Sequence, residues 1–184
     1  MRTFIAVDLP ETVRDSLREL QAGLRGRSDG VKWVRVEGMH LTLKFLGEID
    51  PDLVSGIDRV LQEAARSIKP FRIALSGLGA FPGLSRPRVI WVGVDGELEP
   101  LQNLKSGIDK GLAELGFPKD DRSFKPHITL GRVKGKIDGR RLVGDKNYTT
   151  DHFLICRVRL IESILKPTGA EYSEVLSRPL TAGD

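Results

Sequence analysis

At 184 residues, with 40% apolar and 29% charged side chains, the chain is long enough for one packed domain or for two lobes sharing a cleft, but not comfortably for two independent domains. Lysine and arginine number 29 against 25 aspartates and glutamates, and the net charge of +4 is a mild preference for polyanions, far from the surplus of a nucleic-acid-coating protein. No run approaches the roughly 18 apolar residues of a membrane span, the opening MRTFIAVDLPE lacks a signal-peptide layout, and the single cysteine, Cys156, leaves no partner for a disulfide or a thiolate metal site, so a cytoplasmic protein away from membranes is expected.

In chain order, RTFIAVDL (2–9) alternates like a strand, and Pro10 and Glu11 open a helix to about Gly26 with Val13, Leu17, Leu20 and Leu24 on one stripe. Two strands follow, VKWVRV (31–36) and MHLTLKFLG (39–47), then a helix from Pro51 to about Ile68. FRIALSGLGAF (71–81) and RVIWVGV (88–94) read as strands joined by a long Gly/Pro/Ser loop, and a third helix runs from about Glu97 to Leu115. PHITLGR (126–132), a basic turn-rich stretch, one long strand over 152–165 and the closing EYSEVLSRPL complete the chain. No polar linker divides it, so a single domain over 1–184 is expected. Each half carries strands, a His-x-Thr-Leu strand and amphipathic helices, as if two similar layers faced each other. Without strict β-α-β alternation, this favours an α+β fold with antiparallel sheets.

The two His-x-Thr-Leu stretches carry the chemistry. Residues i and i+2 of a strand share a face about 6.5 Å apart, so His40 points with Thr42 and His127 with Thr129, while Leu41, Leu43, Ile128 and Leu130 anchor the opposite faces in the core. If the strands meet across a cleft, each wall offers an imidazole beside a hydroxyl. Displacement at phosphorus puts the attacking and departing oxygens on opposite sides, so a neutral imidazole on one wall can take a proton while a protonated one on the other gives one. The threonine hydroxyls can donate to the non-bridging oxygens, and nothing in this arrangement calls for a metal or another cofactor. Lys44 has the parity of the cleft and is a substrate-binding candidate, with a solvated side chain as the alternative. Phe4, Phe81 and Tyr172 are candidates for stacking on a terminal base, against places in the core or at its rim. Trp91, Phe45 and Cys156 read as core, and His152, which lacks a threonine partner, as structural. Positive charge concentrates in 81–89, 125–136 and 138–146, and Arg86 and Arg88 are placed to track a nucleic-acid backbone.

HLTLKFLG and HITLGR, with FIAVDLP near the start and SILKPTGAEYSEV near the end, resemble the two-histidine phosphoesterases, in particular the RNA 2′,3′-cyclic phosphodiesterases also called 2′-5′ RNA ligases. The resemblance implies two pseudo-symmetric lobes, each an antiparallel sheet with helices on its outer face. One lobe would hold both chain ends, and the active-site cleft would lie between the two. It implies metal-independent hydrolysis of a 2′,3′-cyclic phosphate at an RNA end to a 2′-phosphate, with tRNA fragments among the candidate substrates. His40 would match the family's proton donor and His127 its proton acceptor, with Thr42 and Thr129 on the phosphate. Arg132 matches the basic residue after the second motif, although a regular strand turns it away from His127 unless a bulge intervenes at Gly131. A monomer is expected. Two alternatives stay open: the reverse reaction, joining a cyclic end to a 5′-hydroxyl, and a module that binds RNA ends without catalysis.

Overall fold

The computed structural model describes residues 1–144, 147–167 and 169–183. Asp145 and Lys146 of the third basic cluster and Thr168 of the C-terminal motif lie outside the described residues. Two antiparallel sheets form the framework. Strands β1 (Arg2–Val7), β3 (Leu41–Glu48), β8 (Arg157–Lys166) and β9 (Gly169–Pro179) make a terminal sheet in the order β3-β1-β8-β9. A central sheet has the order β2-β6-β5-β4-β7, from β2 (Val31–Trp33), β4 (Phe71–Phe81), β5 (Val89–Gly96), β6 (His127–Val133) and β7 (Phe153–Ile155). The terminal lobe thus holds both chain ends and the central lobe the middle, as expected.

The helices follow from their apolar stripes. In α1 (Glu11–Arg25), Val13, Leu17 and Leu24 are buried together with Gln21. The Asp50 side chain accepts from the Asp52 amide and starts a single 3-10 turn that feeds α2 (Val54–Arg66). Helix α2 packs on β8, β9 and α3 (Leu98–Glu114), and α3 also meets β3. A short α4 (Gly139–Val143) lies on β4, within the stretch expected to be only turns. The first half of the chain supplies β1 and β3 to the terminal sheet but β4 to the central one, and the second half supplies β5 and β6 to the central sheet but β8 to the terminal one.

Three expectations are corrected. The strand over 31–36 stops at Trp33, because 36–38 turn into a 3-10 helix whose carbonyls are drawn to Arg14. The long strand over 152–165 breaks at Cys156, where the chain leaves β4 in one sheet and joins β1 in the other. Cys156 is therefore exposed at the crossover and not in the core.

The register shows where the period of two fails. Thr42 pairs with Ala6 and Lys44 with Ile5, so Leu43 is an extra residue in β3. Thr129 pairs with Trp91 and Gly131 with Ile90, so Leu130 is an extra residue in β6. Each His-x-Thr-Leu motif ends on a β-bulge at its leucine. Beside the bulge in β6, the Leu130 carbonyl accepts from the Val34 amide at 2.9 Å, in continuation of the β2–β6 register, and also from buried Gln21 at 2.9 Å, while Gln21 donates to the Val34 carbonyl at 2.8 Å. We expect Gln21→Leu to cost about 1–3 kcal/mol in urea unfolding, because two buried carbonyls each lose a donor; a change below 0.5 kcal/mol would contradict this reading of the bulge.

Candidate active site

Up to each bulge, the two motifs behave as the alternation requires. Leu41, Leu43, Ile128 and Leu130 are buried, and His40, Thr42, His127 and Thr129 lie half-buried on the other face. Past each bulge the parity reverses. Gly131 turns inward and Arg132 returns to the parity of Thr129, exposed. In β3 the same reversal sends Lys44 into the interior at 5% exposure and brings Phe45, expected in the core, out to 70%. Lys44 is thus absent from the face that carries His40 and Thr42. Its ammonium donates to the Pro118 carbonyl and to Asp120 behind the sheet.

Two ring clusters surround the imidazoles. On the terminal lobe, His40 meets Tyr172 edge-on at 5.4 Å between ring centroids and Phe4 at 5.6 Å, and Phe4 in turn meets Phe45 at 5.8 Å. Phe4 is 5% exposed and sits with Ala6 and Ile161 in an apolar floor separate from the main core, so Phe45 and Tyr172 are the rings that solvent reaches. On the central lobe, His127 meets Phe81 edge-on at 5.0 Å and Trp91 at 6.4 Å. Trp91 is only partly buried and belongs to this wall, not to the core. Each cluster lies on a glycine: a β-carbon on Gly38 would fall 2.5 Å from the Tyr172 ring, and one on Gly79 2.3 Å from the Trp91 ring. The motif strands β3 and β6 approach one another. Arg86 and Arg88 are exposed on the loop after Phe81, and His152 lies apart from both clusters, exposed beside Gly96.

The two imidazoles are held differently. Nδ1 of His127 lies 2.7 Å from the Lys125 carbonyl. A carbonyl only accepts, so the proton is on Nδ1, and Nε2 of the neutral ring is free to take another. His40 follows a loop gathered by Arg14, which donates to the carbonyls of Val36, Glu37 and Met39 at 2.7, 3.3 and 3.2 Å. Burial, with the Arg14 charge next in weight and Arg159 adding a little, pushes His40 down to about 4, while the Gly38 carbonyl and Asp8 act in the opposite sense. Arg159 is itself paired with Asp8 and Glu174. Arg14 and Arg159 give no sign in the sequence, because their reach depends on tertiary packing. Among the described residues no group of three or more His, Cys, Asp or Glu side chains is gathered as for a metal ion, and no helix is long and apolar enough to cross a membrane.

Paired antiparallel sheets, each presenting a His-x-Thr strand, place the chain in the class of the two-histidine phosphoesterases. The chain matches the family described as LigT-like phosphoesterase over residues 7–91 and again over 92–142, and it belongs to that family. It is 39% identical to an RNA 2′,3′-cyclic phosphodiesterase of Archaeoglobus fulgidus, over 95% of this chain and 98% of that protein. It is 37% identical to one of Thermotoga maritima, over 94% and 91%. The crystal structure of TT0787 of Thermus thermophilus superposes with a TM-score of 0.84 at 33% identity over all of both chains. The fold is also that of Escherichia coli LigT, with a TM-score of 0.79 at 22% identity over 98% of each chain.

Two outcomes follow from this geometry. Gly38→Ala should destabilise by about 1–3 kcal/mol through the clash with Tyr172, and the same change in a Tyr172→Ala background should be nearly neutral in denaturant unfolding. The second concerns pH. An unfolded imidazole titrates near 6.5 and native His40 near 4, so on acidification the unfolded chain takes the proton first. Stability tied to this group is complete above about 6.5 and is lost as pH falls toward 4. His40→Gln should therefore reduce the loss of unfolding free energy between pH 7.5 and pH 4.5 by about 2 kcal/mol relative to the parent.

Proposed function

We propose that this chain is an RNA 2′,3′-cyclic phosphodiesterase that hydrolyses the cyclic phosphate at an RNA end to a 2′-phosphomonoester. The observation that carries this reading is the duplication itself: two His-x-Thr-Leu strands, bulged at the same leucine, on the facing members of two pseudo-symmetric sheets. The names of the relatives support the same substrate. The chain works as one two-lobed unit, a monomer, and the exposed thiol of Cys156 suits the reducing cytoplasm.

In the reaction, a water oxygen bonds to phosphorus as the bond from phosphorus to the 3′ oxygen breaks. The neutral Nε2 of His127 takes the proton from water, and His40 gives one to the departing 3′ oxygen. Unliganded His40 is neutral at pH 7, so donation requires the phosphate anion, whose charge offsets burial and Arg14 and raises the imidazole pKa. Thr42 and Thr129 donate to the non-bridging oxygens, where charge accumulates, and Arg132 adds a positive charge. Phe45 and Tyr172 offer open faces for the terminal base, with Phe4 as the floor beneath them, and Arg86 and Arg88 follow the backbone beyond it.

The test is a short RNA ending in a 2′,3′-cyclic phosphate, with identification of the product phosphate. His40→Ala and His127→Ala should each slow turnover by about 10²- to 10⁴-fold while remaining folded at neutral pH, and a chelator should leave the parent rate unchanged. Parent-like activity in either variant overturns the proposal. Incubation with cleaved tRNA halves separates hydrolysis from joining.

A further inference from the structure

Lys44 has no place in the proton chemistry, yet among the described residues it is one of four polar or charged side chains buried in the core. It acts on the segment that joins α3 to β6. This segment leads from α3, which packs against both β3 and β4, back to the central sheet and ends on His127, and among the described residues positions 118–124 make no backbone-to-backbone hydrogen bond. Side chains hold it instead. Lys44 Nζ donates to the Pro118 carbonyl at 2.8 Å and to Asp120 Oδ1 at 2.9 Å. Lys105, on α3 and 3% exposed, donates to Asp120 Oδ2 at 2.8 Å and to Asp109 at 2.5 Å, and its ammonium stands 5.7 Å from the centroid of the Phe124 ring. The residue after Phe124 is Lys125, whose carbonyl holds Nδ1 of His127.

Two buried ammonium groups thus converge on both oxygens of one half-exposed carboxylate, and the path from Asp120 to His127 is only seven residues of otherwise unladdered chain. A buried lysine is costly unless its oxygen partners are fixed, so this cluster specifies one position for the segment. It also ties the strand of the first motif to the approach of the second. We propose that Lys44, with Lys105 and Asp120, is a positioning residue for His127: it fixes the segment so that the Lys125 carbonyl holds the imidazole with Nε2 toward the phosphate. This rests on the two-histidine reading above.

The experiment compares Lys44→Met, Lys44→Arg and Asp120→Asn with the parent on the cyclic-ended RNA, well below each melting temperature, together with ¹H–¹⁵N spectra of the His127 ring. Lys44→Met should lower kcat about 10- to 100-fold with KM within about twofold, because misplacing a reacting group by about 1 Å costs this much while Lys44 touches no substrate atom. Lys44→Arg should recover most of the loss, and the His127 Nδ1–H signal should exchange faster in Lys44→Met than in the parent. Parent-like kcat in a folded Lys44→Met, a rise in KM alone, or a lowered kcat with an unchanged His127 spectrum each overturns the proposal. If Lys44→Met does not fold, Asp120→Asn keeps both lysines and decides by the same readouts. An inactive parent, or full activity in His127→Ala, refutes the two-histidine reading instead, and the His127 spectrum still tests the clamp.

Discussion

A β-strand alternates its side chains with a period of two, and each motif strand breaks that period within its motif, β3 a second time at Leu46. The extra residue falls at Leu43 in β3 and at Leu130 in β6, immediately after each threonine. Before the bulge, His and Thr share a face. After it, the side chain two places past the leucine returns to that face, which regular alternation would forbid. Phe45 and Arg132 occupy this place in the two strands, an apolar ring on one wall and a cation on the other. A bulge strands polar groups or diverts side chains in the interior, and each strand answers with buried polar chemistry. Gln21 serves the Leu130 carbonyl in β6, and in β3 the diverted Lys44 finds oxygens at Pro118 and Asp120. Two of the buried polar side chains thus lie beside the two bulges, Lys44 because its parity is reversed and Gln21 as a second donor to a carbonyl that the Val34 amide already serves.

The duplication makes the site symmetric in residue type, but the surroundings make it asymmetric in charge. His40 lies among Phe4 and Tyr172, and its burial, then Arg14 and to a lesser degree Arg159, disfavour its protonated form against the opposing pull of the Gly38 carbonyl and Asp8. His127 has its proton directed onto Nδ1 by a main-chain carbonyl. Two identical side chains thus stand in different surroundings, one desolvated beside cations and the other with a ring nitrogen held by a main-chain carbonyl. The aromatic walls contribute twice: they lower the local dielectric around the imidazoles, and they leave Phe45 and Tyr172 open to a flat ligand.

Periodicity made much of this legible. Strand β4 spans the eleven residues that its composition and flanking turns mark out, and α1 begins behind Pro10 and buries Val13, Leu17 and Leu24 as its stripe requires. The paired histidines and threonines were visible because their types recur in one order on one parity. What alternation cannot carry is the residue that breaks it. Nothing in LTLKFLG marks Leu43 as extra, so Lys44 reads as cleft-facing and Phe45 as core, and both are reversed. Gly131 alone hinted at the second bulge. Cys156 is a similar case: the apolar rhythm of 152–165 continues through it, and only the identity of the hydrogen-bonding neighbours shows that the chain has changed sheets.

The exchange of strands between the halves bears on how the two motifs keep their places. Each sheet takes its motif strand and a neighbour from one half and two strands from the other: β8 and β9 beside β1, and β2 beside β6 with β4 beside β5. Neither half contains a complete sheet, so the two halves of the sequence cannot come apart as independent bodies without breaking hydrogen-bonded ladders. The chain changes sheets at several connections, Cys156 between β7 and β8 among them, whereas the segment from α3 to β6 returns to the sheet that β5 left. The first is a single residue, tied at its carbonyl by the Leu180 amide at 2.9 Å. The second is longer and has no ladder of its own, and it is there that the two buried lysines are placed. The distribution of buried charge thus follows the mechanical need: regular sheet where topology already holds the chain, and fixed ion pairs where the backbone alone does not.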